Sequence, residues 1–218
     1  MNQTRRQRRI NHAIRESERE YRNRILESWK EQTPSEYHGF DINHDLYEDH
    51  WGGHLSRGAV SKLKRYLNRP NKFLILRGTK GLGKSSLAHT LVSELLRSQI
   101  ETTHYRSMPT LFDEFSWRDR DDISPVKRCS QVDMLVIDDI GAAGEQATAV
   151  QKRSLWSVID SRWGDADKFT IMTTNMSTVS TEYGQGLIDW FGNSAWDRIQ
   201  DDLLKVEMSG DSFRSLEE

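Results

Sequence analysis

The chain has 218 residues, 35% hydrophobic and 29% charged, which is enough for one ordinary domain and an appendage and marginal for two full domains. Lys and Arg number 31 against 33 Asp and Glu, a net of −2, so no bulk basic charge announces a nucleic-acid partner. Short apolar runs exclude a helical membrane span, and a single cysteine, Cys129, excludes a disulfide framework or a thiolate zinc cluster.

The polar, basic start has no apolar segment behind it, so no secretory signal is expected and the chain reads as a cytoplasmic protein with no membrane partner. Residues 1–36 carry nine Lys or Arg against six Glu, a net of +3, and Ile10, Ala13, Ile14, Tyr21, Ile25 and Trp29 recur at mostly helical spacing. Thr33-Pro34 ends the pattern, because the residue before a proline is pushed out of the helical region. This first region therefore reads as a basic arm, Arg5-Arg6-Gln7-Arg8-Arg9, and one amphipathic helix too small for a core of its own, with a domain expected over 37–218. The apolar stripe suits docking on a partner protein. The arm suits either DNA phosphates or plain solvation.

From Tyr37 onward helix and strand alternate. A Gly-containing turn at 50–53 precedes a helix over Ala59–Leu67. Phe73-Leu74-Ile75-Leu76 is a continuous apolar run of the kind buried on both faces of a parallel sheet, and an amphipathic helix is expected over Ser85–Leu96. Further strands are expected at Thr102–Tyr105, Met134–Ile137, Phe169–Thr173 and Leu203–Met208, with helices over Thr110–Phe115 and Val150–Trp163. Strands separated by helices predict an α/β fold of three layers, a parallel sheet with helices on both faces.

Gly78-Thr79-Lys80-Gly81-Leu82-Gly83-Lys84-Ser85 fits the phosphate-loop pattern G-x-x-x-x-G-K-[ST] without a mismatch, between an expected strand and an expected helix. The glycines let the backbone curl so that successive N–H groups face phosphate oxygens, and the helix start adds its positive dipole end. Lys84 is expected on the β- and γ-phosphates and Ser85 on Mg²⁺, with Ser86 counted among the nucleotide-binding residues. ATP and Mg²⁺ are the implied cofactors.

Met134-Leu135-Val136-Ile137 runs into Asp138-Asp139. A carboxylate at the C-terminal end of a parallel strand lies where ligands bind in open α/β sheets, so Asp138 is expected to hold Mg²⁺ through water. Asp139 is expected to orient or deprotonate the attacking water, although an Asp pair also starts a turn, here at Gly141. After the fourth strand, Thr173-Thr174-Asn175 puts polar side chains at a strand tip where an Asn or Thr can bond the attacking water or the γ-phosphate. His38, His44, His50 and His54 cluster ahead of the loop with Asp45, Glu48 and Asp49. Gly52-Gly53 breaks any helix that would align them, so turn or surface histidines are expected and not a metal site.

Taken in order, GTKGLGKS, MLVIDDIG, IMTTN, SAWDRI and GDSFR resemble the AAA+ ATPases of the DnaC/IstB type, over roughly Phe40 to Arg214. The resemblance implies the P-loop NTPase fold without a full helical lid after the last strand. It assigns Asn175 as the sensor-1 residue, Arg214 as the sensor-2 arginine, and Arg198 as the arginine finger acting on the γ-phosphate of a neighbouring subunit. A finger in trans requires an ATP-dependent homo-oligomer. By the same resemblance Phe40 or Ile42 lines an adenine pocket. Asp139 stands where many relatives carry Glu, one methylene longer, so slow ATP hydrolysis is expected. The implied function is a loader, phage-encoded given its short N-terminal module, that binds a replicative DnaB-type helicase and delivers it to single-stranded DNA. Two alternatives stand beside it: a transposition ATPase binding duplex DNA, and a nucleotide-dependent binding module with negligible hydrolysis.

Overall fold

The computed structural model describes residues 2–42, 51, 53–116, 124–141, 147–182 and 184–213, with side chains at Gln7 and from residue 11 onward. Helix α1 spans Asn2–Glu31 and stops ahead of Pro34, where the Thr33 hydroxyl donates to the carbonyls of Trp29 and Lys30, each at 3.3 Å. A 3₁₀ turn at Ser35–Tyr37 follows. Next come α2 (Arg57–Asn68), capped by the Ser56 side chain, β1 (Phe73–Arg77) and α3 (Lys84–Leu96). The chain continues with β2 (Thr103–Ser107), α4 (Met108–Ser116), α5 (Pro125–Gln131) and β3 (Met134–Ile140). It closes with α6 (Ala149–Trp163), β4 (Phe169–Thr174), α7 (Leu187–Phe191), α8 (Asn193–Asp201) and β5 (Leu203–Glu207).

All five expected strands form, and they pair in parallel in the order β2-β3-β4-β1-β5. Alternate side chains of each strand feed two cores. Leu74, Leu76, Met134, Val136 and Ile171 face α1, α2 and α3, while Phe73, Ile75, Leu135, Ile137 and Met172 face α4 to α8. Helices therefore cover both faces, as in P-loop NTPases. Among the described residues no helix is long and apolar enough to cross a membrane.

Two expectations need adjusting. Helix α3 is not amphipathic in its setting: Lys84, Ser86 to Val92, Leu95 and Leu96 are all buried. The sheet takes one face, and α1, α2 and the 3₁₀ turn take much of the rest. The apolar stripe of α1 also divides along its length. Trp29 is fully buried, and Ile25 and Leu26 pack on the core, whereas Ile14 and Tyr21 are 51% and 41% exposed. Arg22 fastens the helix at the transition, its Nη1 donating to the carbonyls of Ile100 at 2.8 Å and Leu96 at 3.3 Å.

Candidate nucleotide-binding site

The phosphate loop joins β1 to α3, and β1 lies between β4 and β5 with β3 one strand beyond β4. Its shape depends on backbone that most side chains disfavour. Gly81 and Gly83 have φ of +83° and +71°, and a Cβ at Gly83 would stand 2.8 Å from Trp51 Nε1. A Cβ at Gly81 would collide with the Ser212 hydroxyl. The Gly78 N–H donates to the carbonyl of Thr174 at 3.2 Å, which fastens the loop to the tip of β4. Lys84 is buried and folds back so that Nζ donates to the Thr79 carbonyl at 2.7 Å. Leu82 is buried, Thr79 and Lys80 are exposed, and Ser86 turns inward to donate to the Gly83 carbonyl at 2.9 Å.

Beside the loop, Ser85 Oγ donates to Asp138 Oδ1 at 2.8 Å. Asp138 is buried and accepts two more hydroxyls: Thr173 on Oδ1, and Tyr105 on Oδ2 at 2.7 Å. The register between β3 and β4 shifts from Ile137 to Ile140, a bulge that turns Asp138 in and Asp139 out to solvent. Asp139 takes φ +64°, rare for any residue with a side chain, and its N–H donates to Thr173 Oγ1 at 2.9 Å. A serine hydroxyl touching a carboxylate is a hard-oxygen donor set that fits Mg²⁺. Ser85 and Asp138 are the residues that would hold the ion, which when bound neutralises charge on the β- and γ-phosphates.

Tyr37, from the 3₁₀ turn, lies close enough to this group for the Asp138 charge to act on it. Burial, then the Asp138 charge, raises the pKa of the Tyr37 and Tyr105 phenols, so both stay protonated. Tyr37 and Tyr105 carried no motif signal. Thr173 lay within the expected polar triplet, and it, rather than Asn175, meets Asp138. Thr174 is consumed by the fold, donating to the Ile140 carbonyl at 2.8 Å, and Asn175 is exposed at the strand tip.

Trp51 donates to the Gly83 carbonyl at 3.3 Å and packs on Phe40 at 5.2 Å between centroids, with Ile42 buried in the same core. The segment after β5 returns to the loop: the Phe213 N–H donates to the Gly81 carbonyl at 3.0 Å, and its ring meets His54 at 4.3 Å. Arg214 lies outside the described residues, one position beyond this contact. Arg198 is held within α6 and α8. Its Nε pairs with Asp160, its Nη1 donates to the Ser194 carbonyl at 2.9 Å, and its guanidinium lies 5.1 Å and 5.4 Å from the Trp156 and Trp163 rings. His38 stacks on His89 at 4.8 Å, and among the described residues no cluster of His, Cys, Asp and Glu is built to hold a metal. His44, His50, Asp45, Glu48 and Asp49 lie outside the described residues.

Solved structures share this architecture. The chain is 20% identical to the DnaC helicase loader, covering 80% of itself and 100% of that chain with a TM-score of 0.61. For DnaI the values are 19%, 83%, 93% and 0.62. The replication initiator DnaA, bound to AMPPCP and single-stranded DNA, is 13% identical over 81% of this chain, with a TM-score of 0.59. This chain spans about half the length of that DnaA, 51%, and of a DNA replication initiation factor, 49%. Among curated proteins no match is found. The sequence profile described as IstB-like ATP binding protein matches residues 56–218, well over half of the chain. With its phosphate loop, its buried Asp138 and this match in agreement, the chain belongs to the IstB-like ATP-binding family.

Proposed function

We propose that the protein is a Mg²⁺-dependent ATPase that loads a replicative DnaB-type helicase onto single-stranded DNA in the cytoplasm of a bacterial cell, as a phage-encoded factor. The observation that carries this reading is the protruding half of α1, a helix whose far end is anchored in the ATP-binding core while Ile14 stays exposed. Such a helix suits docking on a partner through one face. The likeness to DnaC and DnaI, over nearly their whole length, supports the same assignment. ATP, held by Gly78 to Ser86 with Arg214, would assemble several copies on DNA. Arg198 would complete the neighbour's site, with Asp139 and Asn175 acting on the attacking water.

Light scattering of the full chain mixed with a DnaB-type helicase, with and without ATP·Mg²⁺, tests the reading. A chain lacking residues 1–18 belongs beside it, because the helix is anchored from Tyr21 and Arg22 onward. A complex lost with that deletion supports the loader, and no complex under any condition overturns it. A second reading, a transposition ATPase, is favoured by the family match itself. Preference for duplex over single-stranded DNA, without helicase binding, would select it. Nucleotide binding without turnover, even with DNA present, would instead select a binding module.

A further inference from the structure

Helix α1 leaves the body of the domain at Arg22, and the cleft that opens there is lined by arginine. Arg15, Arg19 and Arg22 recur at i, i+4 and i+7, one face of α1, and with Arg97 at the end of α3 they border a cavity of about 880 Å³. Arg22 is the fixed floor. Its bonds to the carbonyls of Leu96 and Ile100 take up acceptors at the end of α3, so the negative end of that helix does not oppose an anion. Arg97 pairs with Glu94 at 3.5 Å on open surface. Arg15 and Arg19 are exposed, and among the described residues their guanidinium groups have no hydrogen-bond or ion-pair partner. Two carboxylates, Glu18 and Glu101, also line the cleft. Glu101 is engaged by the Tyr21 hydroxyl at 3.2 Å and by Arg22 at 3.8 Å, so four arginines against two glutamates leave the wall positive. Tyr21 stands in the same wall, 41% exposed, with the Arg22 guanidinium 6.0 Å from its ring.

We infer that this cleft between α1 and the end of α3 is the binding site for single-stranded nucleic acid, with phosphates on Arg15, Arg19, Arg22 and Arg97 and a base stacked on Tyr21. This rests on the single-stranded DNA part of the reading above and gives that partner a place. Guanidinium forks match phosphate oxygens, and Arg15 and Arg19 are four residues apart, about 6 Å along the helix, a step comparable with that between consecutive phosphates of an extended strand. A basic groove beside an exposed aromatic ring takes single strands without regard to sequence, because every base has a face to stack. An acidic peptide would use the arginines and leave the ring without a partner. A duplex hides the faces of its bases and is too wide for a cleft between one helix and the domain wall. The sequence continues the charge toward the start of α1 with Arg5, Arg6, Arg8 and Arg9. Ile14 is exposed and does not line the cleft, so a partner protein can dock on it while a strand is bound.

The test is fluorescence anisotropy of a labelled oligothymidylate titrated with the full chain, in Mg²⁺ and a non-hydrolysable ATP analogue, over a series of salt concentrations. The double variant Arg15→Ala, Arg19→Ala is expected to bind more weakly and to lower the slope of log affinity against log salt by about 1.4, two phosphate contacts at about 0.7 each. Its thermal midpoint should match wild type, since both side chains are exposed and unpaired. Tyr21→Ala is expected to lose about five- to a hundredfold in affinity with the slope unchanged, the value of one stacked base, while Tyr21→Phe keeps wild-type affinity. Wild-type affinity and slope in the double variant overturn the inference. An equal loss in Tyr21→Phe and Tyr21→Ala overturns the stacked base, assigning Tyr21 to its bond with Glu101. Displacement of the strand by polyglutamate as readily as by unlabelled strand of equal charge overturns the inference in favour of an acidic protein partner, and tighter binding of a duplex overturns it in favour of double-stranded DNA. Absence of any strand binding by wild type is a different result, and it overturns the single-stranded DNA part of the proposed function itself.

Discussion

At the scale of single residues, Lys84 and Arg198 carry opposite predictions. Lys84 is buried yet bonds a carbonyl of its own loop, so removing it frees a site without opening the core. Lys84→Ala is expected to lower nucleotide affinity by about ten- to a hundredfold, the value of charge-assisted bonds to phosphate, with the thermal midpoint close to wild type. Equilibrium titration alongside calorimetry checks both. Arg198 is engaged by Asp160 and two tryptophan rings of its own chain. If it is the finger, Arg198→Ala leaves affinity intact and reduces turnover by about 10³-fold once subunits assemble. Unchanged turnover in the assembled state removes that assignment. Lys84, Ser85 and Asp138 were legible because phosphate and metal chemistry demand those residue types at that spacing. Tyr37 and Tyr105 were not, because a tyrosine in a turn or in mid-strand has no spacing rule tying it to a loop that lies elsewhere in the sequence.

Elements tell a different story from residues. Period located most of them, and Pro34 marked the end of α1; the structure adds the Ser56 cap that starts α2 and the capping box of Thr148 and Gln151 that opens α6. Short helices α5 and α7 escaped, since seven and five residues show too little periodicity to stand apart from loop, and α8 was not read as a helix either. Arg162 was equally silent. In the sequence it reads as a cation in the last turn of a helix, but it is 1% exposed and donates to Thr170 and to the carbonyls of Cys129, Val132, Asp133 and Phe169. It ties α5 and α6 to strands β3 and β4. For α1 the prediction concerns Trp29, whose indole is fully buried and donates to the His89 carbonyl at 3.3 Å. Trp29→Ala should cost about 3–5 kcal/mol by urea unfolding. A cost under about 1 kcal/mol would show that α1 does not contribute to the core.

For the whole molecule, buried histidines set the response to acid. Burial lowers the pKa of His89 to about 4, helped by His38 and Lys30, and that of His104 to about 4, helped by Arg106 and Arg128. Both are neutral in the fold and protonate near pH 6.5 in the unfolded chain. The unfolded state therefore binds more protons between those values, and stability present above pH 6.5 is lost as pH falls toward 4. The loss should reach about 2 kcal/mol per histidine at pH 5, read as a lower urea midpoint than at pH 7.5, and His89→Gln should flatten the curve. An equal midpoint at both values would show that these side chains open to water. What the sequence determined by itself was local and periodic: the phosphate loop, the buried strands, the parallel α/β order and the carboxylate at a strand tip all follow from short spacings that backbone geometry enforces. What only the tertiary structure decided was which distant groups share a place. The docking of α1 through Trp29, the return of Phe213 to the loop and the three hydroxyls of Ser85, Tyr105 and Thr173 on Asp138 are contacts across long chain separations. They are selected by packing and by the need to pair buried polar groups, and no local pattern encodes that choice.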